Sequence, residues 1–88
     1  MQQPSMTFRF TKGAFRQLSR LDQITQKRII EKLDFYCSQD QPLKYAERLT
    51  DSRFGEWRFR IGEYRALFDV KADEIVVLAV GHRREIYR

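Results

Sequence analysis

Arginine is the residue with the most to say about chemistry in this sequence. Its 17 basic side chains are twelve Arg and five Lys, against 12 acidic ones. A guanidinium is a planar fork of donors matched to phosphate, and it stays charged at any relevant pH. A skewed genomic composition would give the same excess, so placement matters more than number. Arg58, Arg60 and Arg65 stand in a stretch where polar and apolar residues alternate. Gly81-His82-Arg83-Arg84-Glu85-Ile86-Tyr87 lies at the other end of the following segment. Such a set suits a phosphodiester. When RNA is cut by its own 2′-hydroxyl, a proton must leave that hydroxyl, a charged phosphorane must be stabilised, and the leaving oxygen must be protonated. Cationic forks supply the second requirement, often the largest. A guanidinium is a poor acid or base, so His82 and Tyr87 are the candidates for proton transfer. Tyr87 can instead stack on a base. The plainer readings are a structural imidazole and a tail residue closing over the core.

Other chemistries are excluded or unsupported. One Cys excludes an intramolecular disulfide and a cysteine-built zinc site, and one His excludes the multi-histidine versions. Cys37 falls on an apolar helical stripe, not beside a base. Neither a metal nor a cofactor is expected. No apolar run approaches the roughly 18 residues of a membrane span, and the first residues do not follow the plan of a secretory signal. The expectation is a cytoplasmic protein without membrane contact. With 88 residues, 42% of them hydrophobic, the chain suits one domain with one core and is not disordered. The net charge of +5 fits a polyanionic partner, though solubility alone also accounts for it.

The elements that must position these residues follow from periodicity. Residues 1–5 read as a mobile leader and 6–88 as a single domain. Thr7 to Thr11 alternates polar and aromatic, with Phe8 and Phe10 on one side and Arg9 on the other, which predicts a strand. Phe15, Leu18 and Leu21 then recur at helical spacing. Asp22 is a good N-cap for a second helix, in which Ile29, Leu33 and Tyr36 repeat, broadened by Ile30 and Cys37. The polar stretch from Ser38 to Gly55 reads as a loop, with a helical turn around Lys44 to Leu49. From Glu56 the period is two. Gly62-Glu63 suits a two-residue hairpin turn, Lys71 to Asp73 makes another turn, and Ile75 to Val80 reads as a strand covered on both faces. Strand, helix, helix and a three-strand meander make an α+β domain. The helical hairpin packs on one face of a small, mainly antiparallel sheet.

A Gly62-Glu63 turn sets Ile61 opposite Tyr64, Arg60 opposite Arg65, Phe59 opposite Ala66 and Arg58 opposite Leu67. Trp57, Phe59, Ile61, Tyr64, Ala66, Phe68 and Val70 then share one face, which must cover the helices. The other face carries Arg58, Arg60 and Arg65. Like charges directly across a strand pair are destabilising. An anionic ligand explains them; neutralisation by Glu56, Glu63 or Asp69 is the plainer account. A short second turn predicts Val70 opposite Ile75 and Arg65 opposite Val80. That puts Val76, Leu78 and Val80 on the arginine face as an exposed apolar floor, joined by His82, Arg83, Arg84 and Tyr87.

At this point the chain resembles the RelE/ParE superfamily of toxins from toxin–antitoxin pairs. The likeness runs from Met6 through the helical hairpin with Gln26-Lys27-Arg28-Ile29-Ile30-Glu31-Lys32-Leu33 and the Leu49 segment. It continues through Trp57-Arg58-Phe59-Arg60-Ile61-Gly62-Glu63-Tyr64-Arg65 and the Gly81-to-Tyr87 ending. The resemblance implies an mRNA endonuclease acting in the ribosomal A site, needing no metal. Arg65, Arg83 and Tyr87 are its clearest catalytic matches, with Arg58, Arg60 and His82 beside them. Arg58, Arg60, Arg84, Arg53 and Lys44 would bind RNA. Arg58 and Arg60 stand where the best-known branch has lysines, which leaves the proton acceptor open. The implied partners are a cognate antitoxin, the ribosome and its mRNA, with DNA reached only through the toxin–antitoxin complex. ParE-like members share the fold and inhibit DNA gyrase. That alternative, and an inactive member that mainly binds its antitoxin, remain open on sequence.

Overall fold

The computed structural model describes residues 5–87, so the expected leader lies, apart from Ser5, outside the described residues. β1 (Thr7–Phe10) leads into α1 (Lys12–Ser19) and α2 (Gln23–Cys37). β2 (Ala46–Arg48), β3 (Trp57–Ile61), β4 (Tyr64–Lys71) and β5 (Glu74–His82) follow. The strands form one sheet in the order β1-β5-β4-β3-β2. β1 runs parallel to β5, and the other neighbours are antiparallel. This is the expected α+β arrangement. No helix among the described residues is long and apolar enough to cross a membrane.

Both helices start at side-chain caps. The Thr11 hydroxyl accepts from Ala14 N at 3.1 Å, which satisfies a donor that has no partner within the first turn. Asp22 accepts from Thr25 N at 3.1 Å and from the Thr25 hydroxyl at 2.6 Å, and these bonds hold its carboxyl below the ordinary range. In α2 the predicted stripe is the buried one: Ile29, Leu33, Tyr36 and Cys37. In α1 the prediction needs correcting. Ala14 and Leu18 face the sheet, while Phe15 points outward and is 60% exposed. An eight-residue helix presents one narrow stripe, and the i, i+4 pair occupies it.

The core is threaded by a column of rings. Tyr36 stacks on Phe59 at 4.5 Å, Phe59 on Phe68 at 4.5 Å, and Tyr45 on Tyr36 at 5.3 Å. Such pairs contribute about 0.5–1.5 kcal/mol each beyond their burial. The column ties α2 to β3 and β4. It also fixes the segment after α2, which differs from the prediction. A 3-10 turn spans Pro42–Tyr45, ahead of the expected Lys44–Leu49 turn, and Ala46–Arg48 is a strand instead of loop. Ala-Glu-Arg carries no alternating apolar signal; pairing to the β3 edge makes it a strand.

The hairpin register is as predicted, from Ile61 opposite Tyr64 to Arg58 opposite Leu67. Val70 lies opposite Ile75, also as predicted. Beyond that the third strand departs. Phe68 faces Val77 but Leu67 faces Ala79, so a bulge at Leu78 shifts the register by one residue. Arg65 therefore lies opposite Gly81, not Val80, and Val80 turns into the helix-side core. Nor is the arginine-face floor exposed: Leu67 is 0% and Val76 3% accessible. The chain between β2 and β3 folds back over the sheet, with Glu56 N donating to Asp69 Oδ1 at 2.9 Å. Gly55, at φ +110°, lies so close that an added Cβ would come within 3.0 Å of Leu78 Cδ1 and 3.2 Å of Phe68 O.

Candidate functional site

Arg65 is the one charged residue among the described residues that is buried, at 6% exposure. It reaches this position because β4 is covered on both faces while the hairpin turn curls beside it. Its Nη1 donates to Gly62 O at 2.9 Å and Tyr64 O at 2.8 Å. No ion pair involves it among the described residues. Burial pushes its guanidinium below the ordinary value; Arg60, Arg58 and Arg83 push the same way. A buried cation fixed by carbonyls and surrounded by like charges has an unmet demand for an anion.

Arg58 and Arg60 extend the site along β3, with Arg60 directly across from Arg65. The sequence suggested Glu56, Glu63 or Asp69 as neutralisers, but Glu47 on β2 is the carboxylate beside these two. Its Oε1 accepts from Arg58 Nε at 3.1 Å and lies 3.4 Å from Arg60 Nε. Glu56 instead pairs with Arg48 at 3.9 Å, and Asp69 takes a backbone N–H. Glu63 holds Arg83 at 2.7 Å, and Arg83 N donates to Glu63 O at 2.8 Å. Those bonds fasten the start of the last turn to the hairpin tip and bring Arg83 to the edge of the cluster.

Tyr87 completes the set. Arg58 Nη1 donates to its hydroxyl at 2.9 Å, and this bond leads the causes that raise the Arg58 guanidinium above its ordinary value. Residues 29 positions apart in sequence therefore meet on one face. Arg53 is exposed beside the Phe54 ring, its Nη2 bound to Asp51 at 2.6 Å. Arg84 is exposed in the last turn, its N–H donating to His82 Nδ1 at 3.2 Å.

Two expected members stand elsewhere. His82 lies opposite Tyr64, ring centroids 5.5 Å apart, in a recess shared with Gln17, Arg20 and Leu21 on the helix side. The bulge is the cause, because it turns the β5 residues beyond Leu78 to the other face. Lys44 lines a separate recess with Gln39, Asp40 and Tyr45 after α2. Sequence reasoning missed Glu47 and Phe54. The first gave no signal without β2. The second is one of two aromatics, with Tyr45, in an otherwise polar stretch, its ring 5.5 Å from that of Tyr87. Among the described residues, no three His, Cys, Asp or Glu side chains are grouped to hold a metal ion.

The arrangement offers a buried cation, two partly neutralised cations, a phenol bonded to one of them and a carboxylate between strands. It can hold a phosphate, offer a flat ring to a base and accept a proton at one carboxylate. No curated protein sequence matches the chain. The crystal structure of the toxin–antitoxin complex RelBE2 from Mycobacterium tuberculosis contains a chain similar to this one. The TM-score is 0.76 and the identity 29%, over 91% of this chain and 99% of that one. A family model described as "ParE toxin of type II toxin-antitoxin system, parDE" matches residues 8–87. Nearly the whole described fold, including every residue of the arginine face, falls within that match, and the chain belongs to the ParE toxin family of type II toxin–antitoxin systems, within the RelE/ParE superfamily.

Proposed function

We propose that this toxin is an endoribonuclease that cuts mRNA in the ribosomal A site, in the cytoplasm, and is restrained by a cognate antitoxin covering the arginine face. The observation that carries the reading is Arg65, buried with no carboxylate partner among the described residues and flanked by Arg58, Arg60 and Arg83. A cation in that state favours a group whose negative charge grows during reaction, which is what a phosphorane requires. The 2′-oxygen attacks phosphorus, the bond to the 5′-oxygen breaks, and a cyclic phosphate remains, so no added nucleophile is needed. Arg65 and Arg83 hold the non-bridging oxygens. Glu47, close to Arg58 and Arg60, is the carboxylate suited to take the 2′-hydroxyl proton. Tyr87, its hydroxyl bonded to Arg58, supports the base or protonates the leaving oxygen. His82 stands outside this step, across the sheet from it.

The neighbour RelBE2, a toxin–antitoxin complex, supports the antitoxin partner, and the convergence of Arg65, Arg58 and Tyr87 on one face favours the nuclease. The family description, which names the ParE toxin, favours inhibition of DNA gyrase as the second. Induced expression followed by primer-extension mapping of mRNA 5′ ends tests the first, and supercoiling by purified gyrase tests the second. New in-frame cuts on translated messages, lost in the double variant Arg65→Ala, Arg83→Ala, are expected. Toxicity without such cuts, together with a block of supercoiling, would overturn the nuclease reading.

A further inference from the structure

Phe54 takes no part in the steps above, yet it is held firmly beside them. It ends the 3-10 turn Ser52–Phe54 in the chain between β2 and β3. Leu49 N donates to Glu56 O at 2.9 Å and Phe54 N to Asp51 O at 3.3 Å, closing this segment on itself. Gly55 presses it onto the sheet, and the Arg53 guanidinium sits 5.7 Å from the Phe54 ring centre. The Phe54 and Tyr87 rings stand at 84°, so they form a corner. A flat ring laid parallel to one meets the other at a right angle. The corner opens into a recess of about 290 Å³ lined by Leu49, Thr50, Asp51, Phe54, Arg58 and Tyr87. That is near the lower limit of small-molecule pockets, about 300 Å³, and suits one planar ring, not a helix or strand of a protein.

The geometry points to Phe54 as a base-stacking, specificity-determining residue: the Phe54–Tyr87 corner takes one nucleobase of single-stranded RNA beside the phosphate on the arginine face. The inference rests on the nuclease reading, which brings RNA to that face. Charge decides the occupant. Arg58 lines the recess and, with Arg60 and Arg65, continues from it, so a ligand that enters the corner and stays joined to an anion gains on both counts. A nucleotide does this. Aromatic stacking tolerates any base but grows with ring area, so purines should be preferred. Thr50 and Asp51 offer polar atoms to the base edge.

Two measurements on the full chain test this. The first maps cut sites for the wild type and Phe54→Leu at matched thermal stability. The variant should still cut, with the purine bias at the nucleotide beside the cut reduced about fivefold or more. The second is an NMR titration with 2′-O-methyl dinucleotides, which cannot be cleaved, followed at the Phe54 and Tyr87 ring protons. Purine dinucleotides should shift both rings, and N-acetyl-tryptophanamide, standing for a peptide side chain, should not compete. Unchanged bias in Phe54→Leu, or stronger shifts with the tryptophan amide, would overturn the inference while the nuclease reading stands. If the wild type makes no cuts, the nuclease reading falls, and the titration then decides alone: ring shifts support a base in the corner and their absence refutes it.

Discussion

Replacing Glu47 by Gln should strengthen RNA binding and weaken RNA cleavage at once. In the arginine face, Arg58, Arg60, Arg65 and Arg83 meet two carboxylates, Glu47 on the first pair and Glu63 on Arg83. Among the described residues, two positive charges are left unneutralised. For single strands the slope of log K against log salt is about −0.7 per neutralised phosphate, so the wild-type slope should be about −1.4. Glu47→Gln leaves three charges and a slope of about −2.1. Between 50 and 200 mM salt, affinity should fall about 7-fold for the wild type and about 18-fold for the variant, which starts tighter at low salt. The lost ion pairs are partly exposed and worth about 0–1 kcal/mol, so the fold should survive. Cleavage should drop by about 10²- to 10⁴-fold if the carboxylate accepts the proton. Fluorescence anisotropy with a 2′-O-methyl oligonucleotide gives the slopes, and single-turnover cleavage on programmed ribosomes gives the rate. Unchanged slope, or weaker binding at low salt, would refute the charge reasoning. Wild-type cleavage would remove Glu47 from proton transfer and leave the charge reasoning intact.

Other expectations concern the scaffold. Gly55→Ala should cost about 1–3 kcal/mol in urea unfolding, because the residue sits at φ +110° with Leu78 Cδ1 and Phe68 O already close; an unchanged midpoint would contradict that packing. Thr11→Ala should cost about 1 kcal/mol and lower Tm by about 4–8 °C, since Ala14 N loses its acceptor. Burial, then Asp34, pushes the Cys37 thiol from 9.0 up to about 11. The folded state holds the proton more tightly, so its contribution is full below pH 9 and is lost as pH rises through about 11, on the order of 2 kcal/mol. Cys37→Ala should lack this alkaline loss, and iodoacetamide at pH 8.5 should label wild-type Cys37 only in urea. Rapid labelling of the folded protein would count against the burial.

What the sequence determined by itself is whatever depends on local pattern. Alternation around Gly62-Glu63 set the register that puts Arg60 across from Arg65, because a two-residue turn allows one pairing and a one-residue slip would expose Phe59 and Phe68. Helical spacing with the Asp22 cap set α2 and its buried stripe. Tertiary structure decided whatever depends on contacts between distant segments. Β2 exists because β3 offers an open edge, and only that pairing brings Glu47 to Arg58 and Arg60. The bulge at Leu78 reverses the facing of the residues after it, sending Val80 to the core and His82 to the helix side, and no periodicity in Ile75 to Val80 marks it. The return of the chain over the second face buries Leu67 and Val76 where an exposed floor was expected, and builds the Phe54–Tyr87 corner. Sequence could place three arginines on one face; only the packed chain could bury Arg65 among them and leave the other two sharing a carboxylate.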